Sequence, residues 1–80
     1  MRIEVRLHAT LAEDVAIAAA AEPLDVEIAA GAPVADLIDH LGLPAKDVHL
    51  VVVDGRIIHD RLIRLTEGSR VALFPPVGGG

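Results

Sequence analysis

The stretch Gly31-Ala32-Pro33-Val34-Ala35-Asp36-Leu37-Ile38-Asp39-His40-Leu41-Gly42 decides the architecture. Val34, Leu37, Ile38 and Leu41 fall at i, i+3, i+4 and i+7, one apolar stripe of a helix, and Asp36, Asp39 and His40 lie off it. Pro33 suits the first helical position, where its missing N–H costs nothing. Gly42 is placed for a left-handed C-terminal cap, and Pro44 blocks continuation. A helix with one greasy side needs a sheet to lie on, and the flanking segments supply strands.

Upstream, Ile3, Val5 and Leu7 alternate with Arg2, Glu4, Arg6 and His8, and Leu24, Val26 and Ile28 alternate with Asp25, Glu27 and Ala29. Both have the period of two of a half-buried strand. Between them, Thr10 and Glu13 have capping-box spacing, residues 14–21 favour helix, and Pro23 stops it. Downstream, residues 49–53 are a short run rich in β-branched valine, and residues 56–59 read as a return strand. Asp54-Gly55 between them is a two-residue hairpin turn, in which both positions need positive φ. Leu62 and Leu65 are expected under a connecting loop. Thr66-Glu67-Gly68 is a turn and Arg70–Phe74 the last strand, after which Pro75 and Pro76 lack the N–H to extend the ladder. The order predicts an α+β fold, a mixed sheet of about five strands on one main helix. The first two strands pair antiparallel and the last runs parallel beside the first, which is the β-grasp, or ubiquitin-like, arrangement. The domain is expected over residues 1–74, with a flexible Gly-rich tail at 75–80.

Composition narrows the function. A chain of 80 residues holds a single small core, burying only about 60% of its unfolded surface. With one Phe, one Met and no Tyr or Trp, that core is aliphatic. The absence of Cys rules out disulfides, thiolate metal sites and a catalytic thiol. Seven basic against twelve acidic residues give a net charge of −5, the wrong sign for a nucleic-acid partner. The longest apolar stretch, at 15–21, is too short to span a membrane, and no targeting signal is visible, so the cytoplasm is the expected location. His8, His40, His49 and His59 share no metal-ligand spacing, and no metal site is expected. Lys46, the only lysine, is read as an exposed loop residue. Arg2, Arg6, Arg56, Arg61, Arg64 and Arg70 are candidates for rim contacts with a partner.

The chemistry sits at the end of the chain, Pro75-Pro76-Val77-Gly78-Gly79-Gly80. Six residues reach roughly 20 Å. Pro75-Pro76 launches the tail in an extended direction, and three glycines without side chains pass through a narrow channel. A terminal carboxylate in such a tail is a poor catalyst and a good substrate. An adenylating enzyme can let it attack the α-phosphate of ATP, which leaves an acyl-adenylate open to a sulfur or amine nucleophile. Glycine leaves that carbonyl uncrowded. The nucleotide, Mg²⁺ and positive charge would belong to the enzyme.

The segment Glu67-Gly68-Ser69-Arg70-Val71-Ala72-Leu73-Phe74-Pro75-Pro76-Val77-Gly78-Gly79-Gly80 resembles the C-terminus of the MoaD/ThiS ubiquitin-like sulfur carriers, nearest to the MoaD branch, the small subunits of molybdopterin synthase. Asp54-Gly55-Arg56 is similar to the family's hairpin, and residues 31–37 to its helix start. The resemblance implies a β-grasp fold and a C-terminal glycine, Gly80, carried as acyl-adenylate and then as thiocarboxylate. Gly79 stands as its companion, and Gly78 where the family often has Ala. Ser69 stands where Asp is common, and Ala9 where an aromatic is common. The implied role is a non-catalytic carrier subunit of a molybdopterin synthase-like complex, which binds no cofactor itself. ATP and Mg come with a MoeB-like adenylating enzyme. The other implied partners are a sulfur donor protein and a larger synthase subunit that holds the tail beside a pterin precursor. Phe74, Pro75, Pro76 and Val77 would aim the tail and dock it.

If Val71 and Leu73 face the helix, Ala72 and Phe74 share the open face of the sheet; Phe74 is expected in an apolar docking patch there, joined by Val51 and Val53. A core-edge Phe74 is the alternative. Three other readings of the chain stay open. The thiocarboxylate could serve thiazole, tRNA or cysteine thiolation. The tail could be joined to protein lysines, as in a modifier. The domain could be an inert β-grasp interaction module.

Overall fold

The computed structural model describes residues 1–8 and 23–76. The expected capping box and helix at 10–21, Ala9, and Val77, Gly78, Gly79 and Gly80 lie outside the described residues. The elements are β1 (Arg2–Leu7), β2 (Leu24–Glu27), α1 (Val34–His40), a 3-10 turn (Ala45–Asp47), β3 (Leu50–Val53), β4 (Arg56–Ile58) and β5 (Arg70–Phe74). The five strands form one mixed sheet in the order β2-β1-β5-β3-β4. β1 runs antiparallel to β2 and parallel to β5, and β3 runs antiparallel to both β4 and β5. This is the expected ubiquitin-like β-grasp.

The strand alternation seen in the sequence is the burial pattern found. Ile3, Val5 and Leu7 of β1, Leu24 and Val26 of β2, and Val71 and Leu73 of β5 all turn inward, where they meet Val34, Leu37 and Ile38 of α1. Leu43, Val48 and Leu65 close the rim of this aliphatic core. Each fully buried side chain of this size contributes about 1.5–3 kcal/mol.

Helix α1 starts one residue later than its pattern suggests. Pro33 is the N-cap, in extended conformation, rather than the first helical residue. It is also bridged to Arg64. The loop after β4 explains the shift. Its Ile63 and Arg61 carbonyls accept the N–H groups of Val34 and Ala35 at 3.0 and 2.9 Å. These bonds satisfy helix-end donors that no side chain caps. At the other end Gly42 adopts φ +75°. Its N–H reaches the Asp39 carbonyl, and the Leu43 N–H reaches that of Ile38, at 2.9 and 3.2 Å. That pair is a Schellman closure, and Leu43 packs into the core behind it.

The Asp54-Gly55 turn has the positive φ angles its sequence demands, 50° and 83°. Two expectations fail. Leu65 is buried as expected, but Leu62 is 73% exposed and Ile63 is 41% exposed. Around residues 61–63 the loop's backbone, rather than its side chains, meets the start of α1. Arg61 is no rim residue: its guanidinium donates to the Ala45 carbonyl at 3.1 Å and to the Val48 carbonyl, tying this loop to the 3-10 turn. Ser69 is buried, and its Oγ accepts the Thr66 N–H at 3.0 Å, closing the turn before β5.

Candidate functional site

The strand that leads to the tail, β5, lies in the middle of the sheet. Its backbone is bonded on both sides up to its last residue. The His8 N–H donates to the Leu73 carbonyl at 3.1 Å, and the His49 N–H to the Phe74 carbonyl at 2.8 Å. Its first residue is held as firmly. The Asp54 N–H donates to the Arg70 carbonyl at 2.8 Å, and the Arg70 N–H donates to Asp54 Oδ1 at 2.9 Å. Pro75, half-buried, and Pro76, exposed, follow at the point where the ladder stops. Gly78, Gly79 and Gly80, the residues to which the chemistry was assigned, continue beyond the described part.

Phe74 and Ala72 alternate with the buried Val71 and Leu73, so they lie on the face away from the helix, as expected. The neighbours expected for Phe74 are corrected. The antiparallel register sets Leu50 opposite Phe74, Val51 opposite Leu73 and Val52 opposite Ala72. Directly opposed residues share a face. Val51 is therefore a core residue, with 1% of its surface exposed, and Val53 packs against the core. Leu50 and Val52 are the residues that join Phe74.

Two further residues complete the patch. Ile57 of β4 stands opposite Val52 and is 56% exposed. His8, just past the end of β1, stacks on Phe74 with ring centroids 4.2 Å apart and planes 10° from parallel. The single aromatic of the chain thus has an imidazole lying over it. From the sequence alone, His8 has no assigned role beyond its place among histidines without metal-ligand spacing. The signal that could have found it was its place in the outward set of β1.

Beside this apolar half the open face is charged. Glu4 and Arg70 are neighbours across β1 and β5, with Nε and Oε2 3.8 Å apart. Arg2 meets Asp25 at 2.7 Å and Glu27 at 3.8 Å. These exposed pairs contribute little stability. Among the described residues no cluster of His, Asp and Glu could hold a metal ion, and no helix is long and apolar enough to cross a membrane.

The ThiS family model matches residues 9–80, a span that includes the glycine terminus. No curated protein matches the chain. Among solved structures, the Haloferax volcanii HVO 2177 protein is similar over all of this chain and 87% of its own, with 26% identity and a TM-score of 0.78. SAMP1 from the same organism is similar over the full length of both chains, with 26% identity and a TM-score of 0.73. A Pyrococcus furiosus protein assigned as molybdopterin converting factor subunit 1 shares the fold at 23% identity and a TM-score of 0.72, over 96% of this chain and 99% of its own. With a five-stranded β-grasp sheet and a family match that runs through the terminal glycines, the chain belongs to the ThiS family of ubiquitin-like sulfur carriers and modifiers.

Proposed function

We propose that this protein is a sulfur carrier whose working group is the C-terminal carboxylate of Gly80, and that it donates sulfur in molybdopterin biosynthesis. The carboxylate oxygen attacks the α-phosphorus of ATP held by a MoeB-like adenylating enzyme, and pyrophosphate leaves. A persulfide of a sulfur donor protein attacks the glycyl carbonyl and AMP leaves. A thiol of that donor then cleaves the S–S bond, which frees the thiocarboxylate. A larger molybdopterin synthase subunit receives the tail and places this sulfur beside the pterin precursor. ATP and Mg²⁺ are supplied by the adenylating enzyme.

The observation that carries this reading is a glycine terminus within the family match, joined by two prolines to the central strand of the sheet. Such a strand gives the tail a fixed origin, and Pro75-Pro76 gives it an initial direction. The patch of Leu50, Val52, Ile57 and Phe74, with His8, is an apolar surface at that origin and suits docking by the enzymes that use the tail. We assign residues 1–74 to the folded carrier and residues 75–80 to the delivered tail.

The intact mass of the chain isolated from its host tests the reading. A mass change equal to one oxygen exchanged for sulfur at the C-terminus supports it. Adducts of Gly80 with lysines of other proteins would favour the modifier reading, which the likeness to SAMP1 supports. A tail left unmodified by the host's adenylating enzyme and ATP would overturn both.

A further inference from the structure

A shallow cavity of about 180 Å³ opens on the outer face of the sheet, between the apolar patch and the charged rows. Its floor is Ala72 and Val52, its end is the turn at Gly55, and its walls are Arg6, Arg70 and Glu4. The depression exists because Ala72 is the smallest side chain of its row. The register places Arg6 on one side of it, and Val52 with Ile57 beyond on the other. Two guanidiniums therefore stand at the edge of an aliphatic floor, on a protein whose net charge is −5.

The geometry points to a partner side chain of matching build: an aliphatic group seated over Ala72 with a carboxylate beside it, held by Arg6 and Arg70. The occupant is the adenylating enzyme, so the inference rests on the function proposed above and adds what that enzyme must present. Three observations support it. Arg6 and Arg70 form a cationic edge that an acidic group complements, and the Arg70 side chain is 78% exposed. Arg70, Ala72 and Phe74 occupy alternate positions of β5, the strand that runs on into the tail. A tail that spans at most about 20 Å when fully extended keeps an enzyme holding its end near that strand. Glu4 lies 3.8 Å from Arg70 and opposes a phosphate dianion more strongly than a single carboxylate, so a nucleotide phosphate fits the site less well. The remaining arginines do not compete for this role. Arg2 is engaged with Asp25 and Arg61 with backbone carbonyls, the backbone of Arg64 pairs with Pro33 ahead of α1, and Arg56 stands opposite Val53, in the row that turns toward the core.

The test is ATP–pyrophosphate exchange by the host's adenylating enzyme, with the intact chain as varied substrate. Arg6→Glu and Arg70→Glu are each expected to raise KM roughly tenfold at low salt, with kcat held and the difference shrinking as ionic strength rises. Arg6→Ala should raise it about two- to fivefold. Lys46→Glu, in the 3-10 turn, should leave KM unchanged. Thermal melts by circular dichroism establish that each variant is folded. For a charge-reversed chain that melts early, Arg6→Gln and Arg70→Gln carry the test, with the same direction and a smaller rise expected. Restoration of KM for Arg6→Glu by an acidic-to-Arg change on the enzyme would fix the pairing. Exchange with the wild-type chain but unchanged KM in the arginine variants overturns this inference and leaves the carrier reading standing. No exchange with the wild-type chain overturns the carrier reading, and the inference falls with it.

Discussion

The His8 imidazole lies nearly parallel to the Phe74 ring, 4.2 Å from it, at the point where the sheet ends and the tail begins. One residue closes the outward row of β1 and the other closes β5. Their contact covers one side of the only aromatic in the chain. An aromatic pair of this kind is worth about 0.5–1.5 kcal/mol beyond the area it buries. His8→Ala should therefore lower the melting temperature by roughly 2–12 °C, at about 4–8 °C per kcal/mol for a domain of this size. His8→Phe should keep the stacking and the stability. Equal melting temperatures for all three chains would show that the contact contributes nothing.

Phe74 is half-buried on the open face and is not part of the core. Phe74→Asp should fold, with a loss of about 1–2 kcal/mol. It should raise the KM for adenylation well beyond the effect of His8→Ala, because it places a charge in the apolar patch proposed as the docking surface. A folded Phe74→Asp chain that accepts sulfur at the full rate would remove the patch from the account.

Removal of Gly79 and Gly80 should leave the melting curve unchanged, since no described core residue lies beyond Leu73. The same truncation should abolish ATP–pyrophosphate exchange. Retained exchange in the shortened chain would contradict the role assigned to Gly80.

Asp54 combines a positive φ of 50° with two bonds to Arg70. Asp54→Ala loses the side-chain acceptor, worth about 0.5–1.5 kcal/mol, and adds roughly 1 kcal/mol of left-handed strain. Chemical denaturation should report a fall of about 1.5–2.5 kcal/mol. Asp54→Asn tolerates the same φ and keeps an acceptor, so it should lose less than half of that. If Ala and Asn prove equal, the turn does not anchor β5 in the way described.

Most of the scaffold was legible because its periodicities were unambiguous. Ile3, Val5 and Leu7 alternate with charged or polar residues, so only one face could turn inward. Val34, Leu37 and Ile38 mark one side of α1, and Gly42 and Asp54-Gly55 occupy backbone angles that few other residues accept. The tail motif was equally plain, since the role proposed for it rests on the main-chain terminus and needs no spatial partner within the chain.

The open face was harder to read. In Leu50-Val51-Val52-Val53 both alternating sets are apolar, so the segment's own pattern cannot say which set is buried. The register of β3 against β5 decides it, setting Val51 against Leu73 inside and Leu50 against Phe74 outside. Leu62 is exposed because the loop's carbonyls, rather than its side chains, meet the start of α1. The stacking of His8 on Phe74, and the meeting of Arg6 and Arg70 around Ala72, depend on β1 and β5 lying side by side although about 65 residues apart in the chain. Local sequence thus determined which elements of the scaffold form, because those depend on backbone preference and on periods of two and 3.6. Only tertiary structure decided which side chains share the outer face, because strand register is a long-range choice, made where the buried faces of several strands must close over one helix.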